Sequence, residues 1–331
     1  MSCTYRNNYY ESDELFELAS HTLSAIQVPL HVFGAYIIIT KTPKEMGKVK
    51  FPMLLVHLTC ATYDVWATIL VVPIIVFPIC SGYSIGVLSS IGVPFWFQAY
   101  VGLSLFFLLG PSITMFFENR FNYLVRDDSE TQSRKIKRTV QHTFNFFITF
   151  VAVSPFISNM PDQTNSRRIA LEILPCLPSR IVDNPKFFML GNEYQIFIAV
   201  SLYLIFIWSQ VFIYFIRTVK YTSRAKTVSK QTSHLQRQFF KAVCLQISLP
   251  FLVILAPAVY LTSTLYTKHF DIALSNMSVI MATSHGLFST VTMLLIHKPY
   301  RAEIWRLLGK LKLVKNENLI AVNISVHSTS D

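Results

Sequence analysis

Seven apolar runs, each longer than twenty residues, dominate this chain: residues 20–40, 51–77, 95–117, 140–160, 194–216, 242–266 and 272–296. Six of them contain no Asp, Glu, Lys or Arg, and the second contains one acid, Asp64. A bilayer core about 30 Å thick is crossed by roughly 20 residues of α-helix. In hydrocarbon every backbone N–H and C=O must bond within the chain, which a helix achieves by itself. The expected fold is therefore an all-α membrane protein, a seven-transmembrane helix bundle. Only 14% of residues are charged, against about a quarter in soluble domains, so a water-facing coat could not be assembled. The fourth run is the weakest, because Gln141, His142 and Asn145 dilute its start.

The basic residues orient the runs. Lys41, Lys44, Lys48 and Lys50 follow the first; Arg120, Arg126, Arg134, Lys135, Lys137 and Arg138 follow the third. Arg217, Lys220, Arg224, Lys226, Lys230, Arg237 and Lys241 follow the fifth, and Lys298, Arg301, Arg306, Lys310, Lys312 and Lys315 follow the seventh. The other side keeps Arg6, Arg167, Arg168, Arg180, Lys186 and Lys268. The basic side is expected in the cytosol, which places the amino terminus outside and the carboxyl terminus inside, in the plasma membrane. Blocks of charge between apolar runs also argue against nucleic-acid binding, which needs a continuous basic face. The first nineteen residues carry Glu11, Asp13, Glu14 and Glu17, unlike a cleavable signal, so the first run is expected to act as an uncleaved one. The Asn-x-Ser/Thr matches are Asn276, inside the seventh run, and Asn323, in the tail; neither is expected to carry glycan. The expected division is an extracellular segment at 1–19, a receptor domain at 20–296, an amphipathic cytosolic helix at 297–315 and a flexible tail at 316–331. In the 297–315 helix, Ile304, Trp305, Leu308 and Leu311 recur at helical spacing beside Arg301, Arg306 and Lys312, a pattern suited to an anionic interface.

Seven spans in this orientation point to a receptor that signals to a cytosolic heterotrimeric G protein. A ligand-gated channel or a transporter is the alternative; a transporter would favour paired halves and several intramembrane charges. Catalysis finds no support: there is no His-x-x-x-His or Cys-x-x-Cys pair and no glycine-rich phosphate loop. No metal, cofactor or enzyme activity is expected.

A set of short words runs in order through the loops. Lys41-Thr42-Pro43-Lys44 and Lys48-Val49-Lys50 open the second span; Ser84-Ile85-Gly86-Val87-Leu88 and Ile91-Gly92-Val93-Pro94 lead into the third, and Phe117-Glu118-Asn119-Arg120 closes it. Pro161-Asp162-Gln163, Leu174-Pro175-Cys176-Leu177-Pro178 and Leu235-Gln236-Arg237-Gln238-Phe239 follow. Ser284-His285-Gly286 and Ile296-His297-Lys298-Pro299-Tyr300-Arg301 end the series. Together these resemble the nematode serpentine receptor class H chemoreceptors. The resemblance implies a receptor of sensory neurons and their cilia that detects environmental chemicals through a G protein; it supplies no ligand.

Asp64 is a carboxylate in the membrane, costly unless paired, protonated or hydrated, so it must face the bundle interior. His57, seven positions earlier, shares its helical face. Asp64 and His57 are candidates for an intramembrane switch, comparable in place to the sodium-binding acid of rhodopsin-like receptors; the plainer reading is a neutral acid gluing helices together. Glu118, Asn119 and Arg120 loosely resemble the acid-x-Arg end of helix three in those receptors, implying Arg120 for G-protein coupling and Glu118 as its resting partner. Residues 234–238 carry no acid to lock Arg120 to span six. Pro250 and Pro257, seven apart, are candidates for a hinge in span six, or else simple packing. The tryptophan–proline switch and the Asn-Pro-x-x-Tyr of many rhodopsin-like receptors are absent. Cys176 is expected in a disulfide with Cys3 or Cys80, and the resemblance favours Cys3; Cys60 and Cys244 fall inside runs. The ligand is expected to be small and largely apolar and to enter from the outer face between spans three, five, six and seven, although Arg167, Arg168 and Arg180 leave an anion open.

Overall fold

The computed structural model describes residues 2–77, 79–158, 160–191, 193–224, 230–267 and 269–309; at 45, 193–194, 222–224, 230–243, 246–247, 250 and 265 the description stops at the backbone. Seven helices form the bundle. Six of them, Asp13–Lys41, Gly47–Val71, Phe95–Val125, Gln132–Ser158, Gln195–Tyr221 and Ile272–Ile296, are long and apolar enough to cross a membrane among the described residues. The sixth span lies within the helix Lys230–Thr267, whose described apolar part is Phe251–Thr264. We number the spans one to seven in chain order. A further helix covers residues 298–309; residues 310–331, with Leu311, Lys312, Lys315 and the expected tail, lie outside the described residues.

Local chemistry explains the boundaries. Ser12 starts span one, its hydroxyl accepting from the Leu15 N–H at 3.1 Å, and Asp271 caps span seven through Leu274 N–H at 3.1 Å. Span two does not run to Phe77 as its hydropathy predicts. It ends in a wider π turn, Trp66–Val71, and residues 73–76 form a strand. The cause is Pro73, which has no N–H to donate and disfavours helical geometry in the residue before it; Val72 sits at φ 45°. Span three, in contrast, passes its predicted end at Phe117 and continues to Val125. It is irregular at Leu108, where Pro111 removes the donor for the Phe107 carbonyl; the Tyr203 hydroxyl of span five donates to that oxygen instead, at 2.8 Å. Span four starts eight residues before its predicted start, at Gln132, capped by Thr131.

Two small sheets sit on the amino-terminal face. Strand β1 (Ser2–Thr4) pairs in parallel with β5 (His269–Asp271). Strands β2 (Pro73–Val76), β3 (Ser81–Ser84) and β4 (Phe188–Met189) form an antiparallel sheet in the order β2-β3-β4. The β2–β3 hairpin packs into an apolar plug with Phe16, Leu174, Ile181 and Phe270. Exposed to water otherwise, each such side chain contributes about 1.5–3 kcal/mol on burial. A disulfide joins Cys3 to Cys176, fastening the amino terminus to the loop between spans four and five. Cys80 lies outside it, buried in the same face of the bundle. A second cluster, including Ile37, Met53, Phe117, Met293 and Tyr300, closes the carboxyl-terminal face.

Candidate functional site

Beneath the β2–β3 hairpin the bundle encloses a cavity of about 750 Å³ bounded by spans two, three, five, six and seven, within the size range of small-molecule sites. It runs from Ile75 and Ser81 of the hairpin inward to Val56, Ile113 and Ser289. Its walls are nearly all apolar, with Tyr63, Trp66, Tyr203 and Trp208 the largest rings. The lining residues that remain exposed are Phe197 and Leu204 of span five and Phe251, Leu255, Ala258 and Thr262 of span six. Among the described residues, then, the cavity opens sideways between spans five and six, and the hairpin roofs its amino-terminal end.

The roof is held by charge as well as by the disulfide. Arg6 reaches Glu11 at 3.1 Å and Asp271 at 2.8 Å. Arg180 reaches Asp13 at 2.8 Å and the Glu11 carbonyl, so it is engaged within the roof. Burial pushes the Asp271 carboxyl upward, but hydrogen bonds from Arg6 and the Leu274 N–H outweigh it and the net shift is down. The Tyr83 hydroxyl is raised, first by burial and then by its bond to Asp13.

Along the edge of the cavity nearest spans one and two lies a buried polar hub. Asp64 is fully buried; its Oδ2 is 3.0 Å from His31 Nε2 and its Oδ1 is 3.7 Å from His285 Nδ1. His31 Nδ1 is 3.0 Å from Thr290 Oγ1, which also donates to the Gly286 carbonyl at 2.9 Å. Thr290 has a single hydroxyl proton. When it serves Gly286, His31 Nδ1 must be the donor to Thr290, and one more proton is shared between His31 Nε2 and Asp64. His57, expected on the same helical face as Asp64, joins the hub without touching the carboxylate: its Nε2 donates to the His31 carbonyl at 2.9 Å and its Nδ1 lies 3.5 Å from Thr290 Oγ1. The partners that sequence reasoning missed are His31, Thr290 and His285. The available signal was that each is a polar group inside an apolar run, the same argument that singled out Asp64. Gly286 gives Asp64 its space, since a Cβ there would collide with the carboxylate. Among the described residues no group of three or more His, Cys, Asp or Glu is placed to hold a metal ion.

At the carboxyl-terminal face, Glu118 is fully buried on span three. Its carboxylate accepts from Arg134 at 2.6 Å, Arg138 at 2.9 Å and His142 Nε2 at 3.2 Å. Its expected resting partner was Arg120; the carboxylate is instead gathered by span four. The cause is the early start of that helix, since 134, 138 and 142 are spaced by four and lie on one face. Asn119 donates to the Lys48 carbonyl at 2.7 Å and accepts from Arg138 at 2.8 Å. Arg120, next along, is half-buried. The helix at 298–309 is docked by Tyr300, which is fully buried with its hydroxyl 2.8 Å from Thr42 Oγ1. Glu303 there bonds Arg306 and Lys41, which lower its carboxyl to about 2. Trp305 and Leu308 of this helix are exposed. In span six, Pro257 is buried within the helix; the side chains of Pro250 and of residues 222–241 lie outside the described residues.

The pattern of the family described as serpentine type 7TM GPCR chemoreceptor Srh matches residues 11–310. The chain is 24% identical over 314 residues to Serpentine receptor class H-72 of Caenorhabditis elegans, covering 94% of this chain and 90% of that one. In fold it is similar to squid rhodopsin, with a TM-score of 0.52 and 10% identity, over 89% of this chain and 85% of the other.

Proposed function

Because the chain belongs to the Srh serpentine chemoreceptor family, whose pattern it carries from residue 11 to residue 310, we propose that it is a chemosensory G-protein-coupled receptor for a small, largely apolar ligand. The observation that carries this reading is the roofed cavity of about 750 Å³ with apolar walls. A charged ligand would lose its hydration there, and among the described residues the walls offer no opposite charge to replace it. The roof and the sideways opening favour entry from the bilayer between spans five and six, in place of the outer aqueous route that hydropathy alone suggests. A lipophile already concentrated in the membrane reaches such an opening directly.

In this reading the amino-terminal face is extracellular and the face bearing Glu118, Asn119 and Arg120 is cytosolic, in agreement with the basic loops. Arg120 contacts the G protein, and the Glu118 cluster holds spans three and four in the resting arrangement. Asp64, with His31 rather than His57 as its direct partner, is the intramembrane switch, since its hydrogen-bond network admits more than one proton arrangement. A tag placed after Asp331 is then labelled only in permeabilised cells.

The test is a screen of membrane-partitioning compounds in cells with a G-protein dissociation readout, with variants compared at equal surface level. Ala258→Trp narrows the opening and is expected to slow or abolish the response; Arg120→Ala is expected to abolish it. Normal signalling by Arg120→Ala overturns its assigned role. Agonist-evoked current that survives G-protein blockade would favour a channel.

A further inference from the structure

A cavity so apolar gives weight to the few polar atoms on its wall. His285 lines it and is only 2% exposed. Its Nδ1 lies 2.7 Å from the Ala282 carbonyl. A carbonyl only accepts, so Nδ1 carries the proton, and in the neutral ring Nε2 is left with its lone pair. That Nε2 is buried and has no hydrogen-bond partner. A buried acceptor left unpaired is costly, and native interiors rarely keep one without a reason. The rings of Tyr63 and Phe106 flank the imidazole at 5.6 and 6.3 Å, which leaves few ways for it to turn away. Toward the roofed end two further lining residues each carry a buried atom without a partner, Gln98 Oε1 and Ser81 Oγ. The Gln98 amide nitrogen donates to the Val93 carbonyl at 2.7 Å, which makes its oxygen an acceptor too. Thus both wall groups whose hydrogen-bonding role is settled by their other contact lack a proton donor.

We propose that the receptor takes a lipophilic alcohol or phenol whose hydroxyl donates to His285 Nε2, with its hydrocarbon body lying toward Phe251 and Leu255. This deepens the reading of the cavity as the ligand site and rests on it. His285 is favoured over Gln98 as the anchor because its Nδ1 is 3.7 Å from Asp64 Oδ1. A ligand that pulls on the imidazole thereby acts directly on the hub, whereas Gln98 has no such link. Ethers, esters and hydrocarbons of the same size fill the cavity but leave Nε2 unpaired, and they bind more weakly.

Trp66 and Trp208 line the same cavity, which permits a test without knowledge of the natural ligand. The full-length receptor in lipid nanodiscs is titrated with 10-bromodecan-1-ol and with its methyl ether, and bromine quenching of tryptophan is followed. Signal that persists in the Trp66→Phe/Trp208→Phe variant is subtracted as quenching from the bilayer. The alcohol is expected to half-quench at a concentration about tenfold below that of the ether, the worth of one buried hydrogen bond. His285→Phe should erase the difference by weakening the alcohol alone, and His285→Gln, which keeps an acceptor at that reach, should retain most of it. Equal potency of the two probes in the wild type overturns the anchor while leaving the cavity as a binding site. A preference that survives His285→Phe and disappears in Gln98→Leu also overturns it. Absence of cavity quenching by either probe overturns the reading of the cavity itself, and the anchor with it.

Discussion

Gly286→Ala adds one methyl group at the most confined point of the hub. A Cβ at this position would lie 2.8 Å from Asp64 Cγ and 3.0 Å from Oδ1, and would overlap Oδ2. Ordinary contact begins near 3.4 Å, so the carboxylate must retreat by about an ångström or more. It has nowhere to go, being fully buried with His31 at 3.0 Å and His285 at 3.7 Å. Overpacking of this kind costs about 1–3 kcal/mol, and separation of Asp64 from His31 adds the loss of a buried charge-assisted hydrogen bond, about 1.5–3 kcal/mol. A total loss of about 2.5–6 kcal/mol is therefore expected, measured by SDS titration of the receptor in mixed micelles. The decisive comparison is the same methyl group in an Asp64→Ala background. There the collision is gone, so Gly286→Ala should cost less than about 0.5 kcal/mol, the scatter of independent sites. An equal cost in both backgrounds would refute the reasoning, since it would show that the glycine is required for something other than space for the carboxylate.

Three further outcomes follow from the contacts at the two faces. Glu118→Gln leaves Arg134 and Arg138, 15% and 13% exposed, without their anion. Partial access to water reduces the roughly 3–5 kcal/mol of a fully buried pair to about 2 kcal/mol, and the loosened clamp should raise basal G-protein signalling; unchanged basal activity counts against the clamp. Cys176→Ser should expose one new thiol, that of Cys3, to a membrane-impermeant maleimide and lower stability by about 2–4 kcal/mol; peptide mapping that finds the label on Cys80 refutes the pairing. Asp271 is held below the ordinary carboxylate range, so its contribution is fully present above that range and is lost as pH falls through the lowered value. Hydrogen exchange at Ser2–Thr4 should therefore accelerate below about pH 4, and Asp271→Asn should remove this acid dependence.

How far the sequence could be read depended on what each feature owes to its neighbours. The seven spans and the packed helix after them were legible because hydropathy and helical spacing act within one segment. The early end of span two was equally local, for Pro73 stands in the sequence, yet the run of Val, Ile and Phe around it outweighed the breaker in a count of apolar residues. Asp64 was identifiable as buried because a membrane acid has few other fates. Its partners were not, since they come from spans one and seven. Helical phase put His57 on the same face as Asp64, but about two turns and 10 Å of rise separate them, and the ring meets the His31 carbonyl instead. The Glu118 cluster was hidden for a different reason. Arg134 and Arg138 are cationic loop markers by composition, and only the start of the helix at Gln132 turns them, with His142, into a row aimed at span three. The exposure of the cavity between spans five and six depends on how two helices stand apart, which neither sequence carries alone.

Span two links the two ends of the molecule. It places Cys60 and Tyr63 on the cavity wall and Asp64 in the hub, and its first turn supplies the Lys48 carbonyl that Asn119 holds at 2.7 Å. Lys48 to Val65 belong to one helix, and Pro52 within it has no N–H for the Lys48 carbonyl, which leaves that oxygen to Asn119; a displacement at Asp64 carried along this helix reaches Lys48. Asn119 then reports the position of span two to the end of span three that carries Arg120, while its Oδ1 stays on Arg138. Coupling between sites is reciprocal: if the cavity biases the Asn119 contact, whatever binds the Arg120 face must bias the cavity by the same factor. Asn119→Leu removes both bonds without touching the cavity. The bromoalcohol should bind the variant alone as it binds the wild type, but the increase in its affinity on adding a G protein, expected to be about five- to tenfold, should fall toward onefold. A full increase in the variant would mean that the signal crosses the bundle by another helix, and span two would then be a wall of the cavity and nothing more.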